Sequence, residues 1–151
     1  MTAATRDHIE ARSAAEVLPV SGDVSLVHIS QTRPDVYPVP IILVPSLLSR
    51  YYVLDLHPRR SMAGFLRDHG FDVYLIDWGD PPGRIGPDFD TYVDNYLAGA
   101  VEMAAEASES GRASVLGYSL GGVLSVVYAA LHPDYLLNLI TLTTPVDTSR
   151  T

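Results

Sequence analysis

Cysteine is absent from this 151-residue chain. Its absence excludes a thiol nucleophile, a disulfide framework and a thiolate metal site, and it agrees with a cytoplasmic setting. Missing too is any uninterrupted apolar run near the ~20 residues a membrane-spanning helix needs. The first ten residues, MTAATRDHIE, are polar and charged and lack the apolar core of a signal peptide. Positive charge is scarce: 10 basic residues face 18 acidic ones, for a net charge of −8. That balance argues against gripping nucleic acid or an anionic membrane through a basic face. No internal repeat, low-complexity tract or interdomain linker interrupts the sequence. What is present is 47% hydrophobic and 19% charged, the make-up of a globular chain. At this length a single domain with a real core is expected.

Residues 1–13 read as a flexible lead-in, and residues 14–151 as one folded unit. Short β-prone runs at 16–20 and 23–29, separated by Ser21 and Gly22, predict an N-terminal hairpin. Val24, Leu26 and Ile29 would line its half-buried face, with His28 on the solvent side. After a proline-rich loop over 31–40, IILV (41–44) suits a strand covered on both faces. Residues 51–56 lead to a helix predicted to begin near Pro58. Met62, Phe65, Leu66 and His69 fall at helical spacing and Gly70 supplies the stop. Arg59 and Arg60 suit a solvated first turn, or a phosphate contact; His57 and His69 suit a helix start and a last turn.

FDVYLIDW (71–78) predicts another buried strand, ended by GDPPG (79–83). From Asp88, a candidate N-cap, a long amphipathic helix follows with Phe89, Tyr92, Val93, Tyr96, Leu97, Ala100 and Met103 on one stripe. LLNLITL (136–142) is the last strand and TTPVD (143–147) the loop after it. Strands alternating with helices imply parallel βαβ units, hence an α/β fold with a doubly wound, mostly parallel sheet behind the hairpin. Ligands of such sheets bind outside the carboxyl ends of the strands, where residues 46–47, 77–78, 119 and 144–147 converge.

The densest chemical signal is SVLGYSLGG (114–122). An apolar run meets a Gly-x-Ser-x-Gly motif, Gly117, Ser119 and Gly121, and an unbroken apolar segment follows to Leu131. Strand, tight turn and helix are the setting of a nucleophile elbow. Glycine flanks the serine because backbone packs on backbone there. The Leu120 N–H would lie at a helix N-terminus, able to hold an oxyanion. A second oxyanion N–H would come from Ser46 or Leu47, in the loop after the 41–44 strand; the same loop suits a plain strand-to-helix connection.

Three stretches, VPSLLSR followed by YYVLDL (44–56), FDVYLIDWG (71–79) and GYSLGG (117–122), resemble the polyhydroxyalkanoate synthase family of the α/β-hydrolase superfamily. The resemblance runs from about Glu16 to Asp147. It implies an α/β-hydrolase fold and transfer of an acyl group from an acyl-CoA or acyl-ester substrate through a covalent acyl-Ser119 intermediate. In this family the elbow carries cysteine, so Ser119 is a departure, and an esterase, lipase or depolymerase-type hydrolase is the neighbouring expectation. No cofactor and no metal is implied.

A serine nucleophile requires a general base. None of His8, His28, His57, His69 and His132 follows a late strand, where this superfamily keeps its triad histidine. Asp147 does follow the last strand, a position some members use for the triad acid; it equally suits a turn or a helix cap. Residues 14–151 are therefore expected to be the N-terminal portion of one catalytic domain, without its C-terminal strands. Residues 136–144 would then present an unpaired apolar edge to a completing polypeptide or to a second copy. A catalytically silent module that binds a partner or a polyester granule is the competing expectation. The expected location is the cytoplasm, with or without a granule surface.

Overall fold

A computed structural model describes residues 15–57, 59–79, 86–147 and 149. Strands β1 (Ala15–Ser21) and β2 (Val24–Ile29) form the expected antiparallel hairpin. Next come β3 (Ile41–Val44), a 3-10 turn (Tyr51–Leu54), α1 (Met62–Asp68) and β4 (Val73–Asp77). A π-helical segment (Thr91–Leu97) runs straight into α2 (Ala98–Glu106). β5 (Ala113–Tyr118), α3 (Leu120–Leu131) and β6 (Leu136–Leu142) complete the described chain. The sheet has six strands in the order β1-β2-β4-β3-β5-β6. β4, β3, β5 and β6 run parallel, and β2 joins β4 antiparallel. The expected α/β architecture with a mostly parallel sheet is what forms.

Period-two alternation explains how one short strand feeds two cores. Ile42 and Val44 of β3 face the layer of α2 and α3, with Leu97, Leu124 and Tyr128. Ile41 and Leu43 face the other way, toward Leu54, Ala63 and Leu75. Burying each such side chain stabilises by roughly 1.5–3 kcal/mol, so β3 can be only four residues long and still anchor the sheet.

Four expectations need correction. The hairpin is not half-buried at β2: Val24, Leu26, Val27 and Ile29 are all buried, because β2 lies between β1 and β4 and is covered on both faces. Helix α1 starts at Met62 rather than near Pro58, which lies outside the described residues. The Ser61 hydroxyl accepts the Gly64 N–H at 2.7 Å and so caps the helix three residues later than expected. Phe89 is 47% exposed and so does not share the buried face of its stripe, and Phe65 of α1 is 60% exposed. The long helix opens with the π-wound turns of Thr91–Leu97 before it becomes α-helical. Asp88 does cap it, its carboxylate accepting the Thr91 N–H at 2.8 Å.

Strand β6 pairs with β5 on one side and with no other strand among the described residues. Leu137 and Ile140 on it are 46% and 43% exposed. Among the described residues no helix is long and apolar enough to cross a membrane.

Candidate active site

Strand β5 ends at Tyr118 and α3 begins at Leu120, so one residue makes the whole turn. Ser119 does so at φ 55° and ψ −123°, in a region that residues with a Cβ rarely enter. Such a backbone costs of order 1–3 kcal/mol and persists only where its surroundings impose it. The Ser119 N–H donates to the Leu142 carbonyl of β6 at 3.0 Å. The Ser119 carbonyl accepts from the Gly122 and Val123 amides at 2.9 and 3.4 Å, the first turn of α3.

The flanking glycines are needed for space, and neither has a positive φ. A Cβ on Gly117 would stand 2.5 Å from the Gly122 Cα and 2.7 Å from the Ser125 hydroxyl. A Cβ on Gly121 would strike the Val44 and Pro45 carbonyl oxygens, and one on Gly122 the Thr144 hydroxyl. The elbow is thus pressed against the end of β3 on one side and the loop after β6 on the other. Ser125, buried one turn on, donates its hydroxyl to the Gly121 carbonyl at 2.7 Å and steadies this turn. The Ser119 side chain is half-buried and has no hydrogen-bond partner among the described residues. The N–H groups of Leu120 and Gly121 open a helix of 12 residues and have no acceptor among the described residues. They form its positive end.

The loop after β3 is folded on itself. The Ser46 carbonyl accepts from the Ser49 N–H and from the Ser49 hydroxyl, both at 3.1 Å, and the Ser46 hydroxyl accepts the Leu48 N–H at 3.3 Å. Those contacts satisfy the amides of residues 48 and 49. The N–H groups of Ser46 and Leu47 have no acceptor among the described residues. Ser46 is buried, whereas Leu48 at the loop tip is 87% exposed. Between this loop and the end of β4 lies a cavity of about 100 Å³ lined by Arg50, Asp77, Trp78 and Tyr92 among others.

The described histidines do not gather here. His28 stacks on Tyr74 with centroids 4.2 Å apart and pairs with Asp72 at 2.7 Å, at the amino end of β4. His69 closes α1, its ring nitrogen 2.7 Å from the Phe65 carbonyl. His57 accepts the Arg59 N–H at 3.2 Å. His132 follows α3 and pairs with Asp94 at 2.7 Å, about 18 Å from the elbow along a helix that rises 1.5 Å per residue. His8 lies outside the described residues. Asp147 is exposed, and its carboxylate accepts the Ser149 N–H at 2.9 Å and the Ser149 hydroxyl at 2.6 Å. Those two hydrogen bonds hold its carboxyl below the usual range.

Two residues expected at the converging strand ends, Trp78 and Thr144, do lie against the elbow and its loop, through contacts no motif specified. The buried Thr144 hydroxyl has no hydrogen-bond partner among the described residues, and it follows Thr143, which sits at φ 48°. Trp78 donates its indole N–H to the Pro45 carbonyl at 3.0 Å. The glycine doublet Gly121–Gly122 and the single tryptophan of the chain were the available signals.

The His28–Asp72 pair belongs to the fold. Burial pushes the Asp72 carboxyl up, but hydrogen bonds from His28 and Gln31 outweigh it and hold the group below the ordinary aspartate range. A carboxyl depressed in the folded state stabilises above its unfolded pKa, and that contribution is lost as the pH falls through the folded value. Melting temperatures followed from about pH 6 to pH 2 should therefore fall more steeply for the wild type than for Asp72→Asn. Parallel curves would contradict this role.

Comparison with known proteins agrees with the geometry. The family described as alpha/beta hydrolase fold matches residues 39–151, and that described as Poly-beta-hydroxybutyrate polymerase (PhaC) N-terminus matches residues 11–66. The chain is 40% identical over 126 residues to the poly(3-hydroxyalkanoate) polymerase subunit PhaC of Haloferax mediterranei, covering 82% of this chain and 25% of that protein. It is 40% identical over 115 residues to the subunit of the same name from Allochromatium vinosum, covering 76% and 32%. Against the Cupriavidus necator subunit it is 31% identical, covering 68% and 18%. The chain thus spans from under a fifth to about a third of the length of these curated relatives. Among solved structures, a probable hydrolytic enzyme from Pseudomonas aeruginosa superposes with a TM-score of 0.64 at 20% identity, over 87% of this chain and 42% of the other. That likeness concerns the fold alone. With the strand order, the strained serine turn and sequence identity pointing one way, the chain belongs to the polyhydroxyalkanoate synthase family within the α/β-hydrolase superfamily.

Proposed function

We propose that the chain carries the nucleophile and the oxyanion hole of a polyhydroxyalkanoate synthase-like acyl transfer. The observation that carries this is the strained Ser119 turn at the head of α3, beside the free amides of Leu120, Ser46 and Leu47. The Ser119 oxygen attacks the carbonyl carbon of an acyl thioester or ester, and its proton passes to a general base. The carbonyl electron pair moves onto oxygen, where the amides stabilise it. Losing one such donor costs about 10²–10³-fold in rate. The carbon–sulfur or carbon–oxygen bond then breaks, the leaving group takes the proton, and an acyl-Ser119 ester remains. A hydroxyl of a growing polyester, or water, completes the turnover. Poly(3-hydroxyalkanoate) polymerisation is what the relatives' names state.

No described histidine bonds to Ser119, and in this reading the base and the acid that orients it come from polypeptide outside the described residues. Residues 14–151 are then the N-terminal portion of the catalytic domain. The exposed edge of β6 is where further strands add. The same lack of a histidine favours, as the second possibility, a silent module that binds through that edge.

Grafting decides between them. The matched segment of the Allochromatium vinosum relative is replaced by the corresponding segment of this chain, and the chimera is treated with a fluorophosphonate. The expected result is labelling of Ser119 at least ~10⁴-fold faster than in the isolated chain, since a serine without its base loses roughly that much. Ser119→Ala should abolish it. A folded chimera that stays unlabelled favours the silent module.

A further inference from the structure

Three parts of the site meet at one atom, the Pro45 carbonyl oxygen. The Trp78 indole N–H donates to it at 3.0 Å in a buried contact, and the bare Cα of Gly121 leaves room for it. Trp78 is 8% exposed and is itself held in place. Tyr92, from the π-helical segment, meets its ring edge-on at 5.5 Å, and Tyr96 meets Tyr92 in the same way at 5.5 Å. At the far end of the loop the Arg50 guanidinium donates to the Gly79 carbonyl at 3.2 Å. Gly79 itself packs close against Asp23: its φ is +75°, and a Cβ there would stand 2.7 Å from the Asp23 carbonyl oxygen. The tip of β4 therefore grips the loop after β3 at both of its ends. The Ser46–Ser49 turn spans the interval between them.

A peptide unit is planar, so a fixed carbonyl fixes the N–H on the opposite side of the same unit. The N–H tied in this way to the Pro45 carbonyl is that of Ser46, one of the two loop amides left without an acceptor among the described residues. We propose that Trp78 is a positioning residue for the oxyanion loop: its indole N–H locks the Pro45–Ser46 peptide so that the Ser46 N–H is presented to charge developing at Ser119. The proposal rests on the acyl-transfer function proposed for Ser119. Trp78 touches no reacting atom. It acts through the loop backbone, and Tyr92 and Tyr96 hold it to that orientation.

The test uses the whole chain carrying Ser119→Cys, which gives it a single thiol, and two reagents with different demands. Acetylation by phenyl thioacetate passes through a tetrahedral oxyanion: sulfur attacks the carbonyl carbon, charge collects on oxygen, and thiophenolate leaves. Alkylation by iodoacetamide displaces iodide and forms no oxyanion. Adding Trp78→Phe should slow acetylation about 10-fold or more while alkylation stays within about 2-fold. A general loosening of the elbow would change both rates together.

Replacing Trp78 by 3-benzothienylalanine keeps the bicyclic ring, removes the N–H and should give the same split, so a folding defect in the phenylalanine variant does not decide the outcome. An unchanged acetylation-to-alkylation ratio in the benzothienyl protein overturns the role of Trp78. If the parent thiol is acetylated no faster than an exposed one, the oxyanion site itself fails, a different result from an efficient parent that is indifferent to Trp78.

Discussion

Gly121→Ala is expected to destabilise the protein by about 3 kcal/mol, the upper end of the usual cost of overpacking. Two effects oppose each other at this position, and their sizes decide the sign. Gly121 has no positive φ within α3, so alanine fits its conformation and is the better helix former by about 1 kcal/mol. The added Cβ, however, would stand 2.8 Å from the Pro45 carbonyl carbon and nearer still to the Val44 and Pro45 oxygens. Those are backbone atoms of a strand end and of a loop clamped at both ends, so they cannot swing aside as a side chain would. Gly99→Ala in α2 is the control, because its nearest neighbour is the flexible Val20 Cγ1 at 3.2 Å. Urea unfolding should place Gly99→Ala within about 1 kcal/mol of wild type and Gly121→Ala well below it. Equal stability of the two variants would show that the elbow and the loop after β3 do not pack as described.

The contrast between these glycines also shows what the sequence could and could not tell. Apolar runs such as IILV and VYLID named the parallel strands because a strand covered on both faces has no polar side to show. Gly117, Ser119 and Gly121 marked the turn because few residue patterns allow backbone to touch backbone. The start of α1 was misplaced because Pro58 and Ser61 are both good opening residues, and only the Ser61–Gly64 hydrogen bond chooses between them. β2 was read as half-buried because its own pattern cannot show that later elements cover both of its faces: Val24 and Leu26 join the core with Leu97 and Leu124, and Val27 and Ile29 the core with Leu54 and Ala63. The contacts made by Trp78 and Thr144 were equally out of reach. One spans 33 residues to Pro45, and the other depends on where the loop after β6 lands. The sequence itself shows that none of its 5 histidines follows a late strand. The four described ones are held by Asp72, Arg59, Phe65 and Asp94, none of them at the elbow.

That absence gives the second large effect. Ser119→Cys should acquire an acetyl group from phenyl thioacetate at pH 7 at least ~10⁴-fold faster than Ser119 does in the wild type. A serine hydroxyl stripped of its general base loses about 10⁴–10⁶-fold in rate. A thiol with an ordinary pKa near 8.5 is already a few per cent thiolate at that pH and needs no base to become nucleophilic. Position adds to this. The amides of Leu120 and Gly121 at the head of α3 favour negative charge on the side chain of residue 119, which lowers a thiol pKa and raises the thiolate fraction. The elbow thiol should therefore also outpace an exposed reference thiol, introduced as Ser30→Cys, by about 10-fold. The wild-type chain has no cysteine, so each variant carries one thiol and intact-mass spectra assign every adduct. Parity between the two thiols would mean that the head of α3 and its loop do not stabilise charge at this position. Rapid acetylation of the wild-type serine would mean that a base reaches it after all. The expected pattern, a fast thiol beside an inert serine in the same turn, would separate what residues 15–149 build, a preorganised elbow, from the proton acceptor that a serine nucleophile still requires.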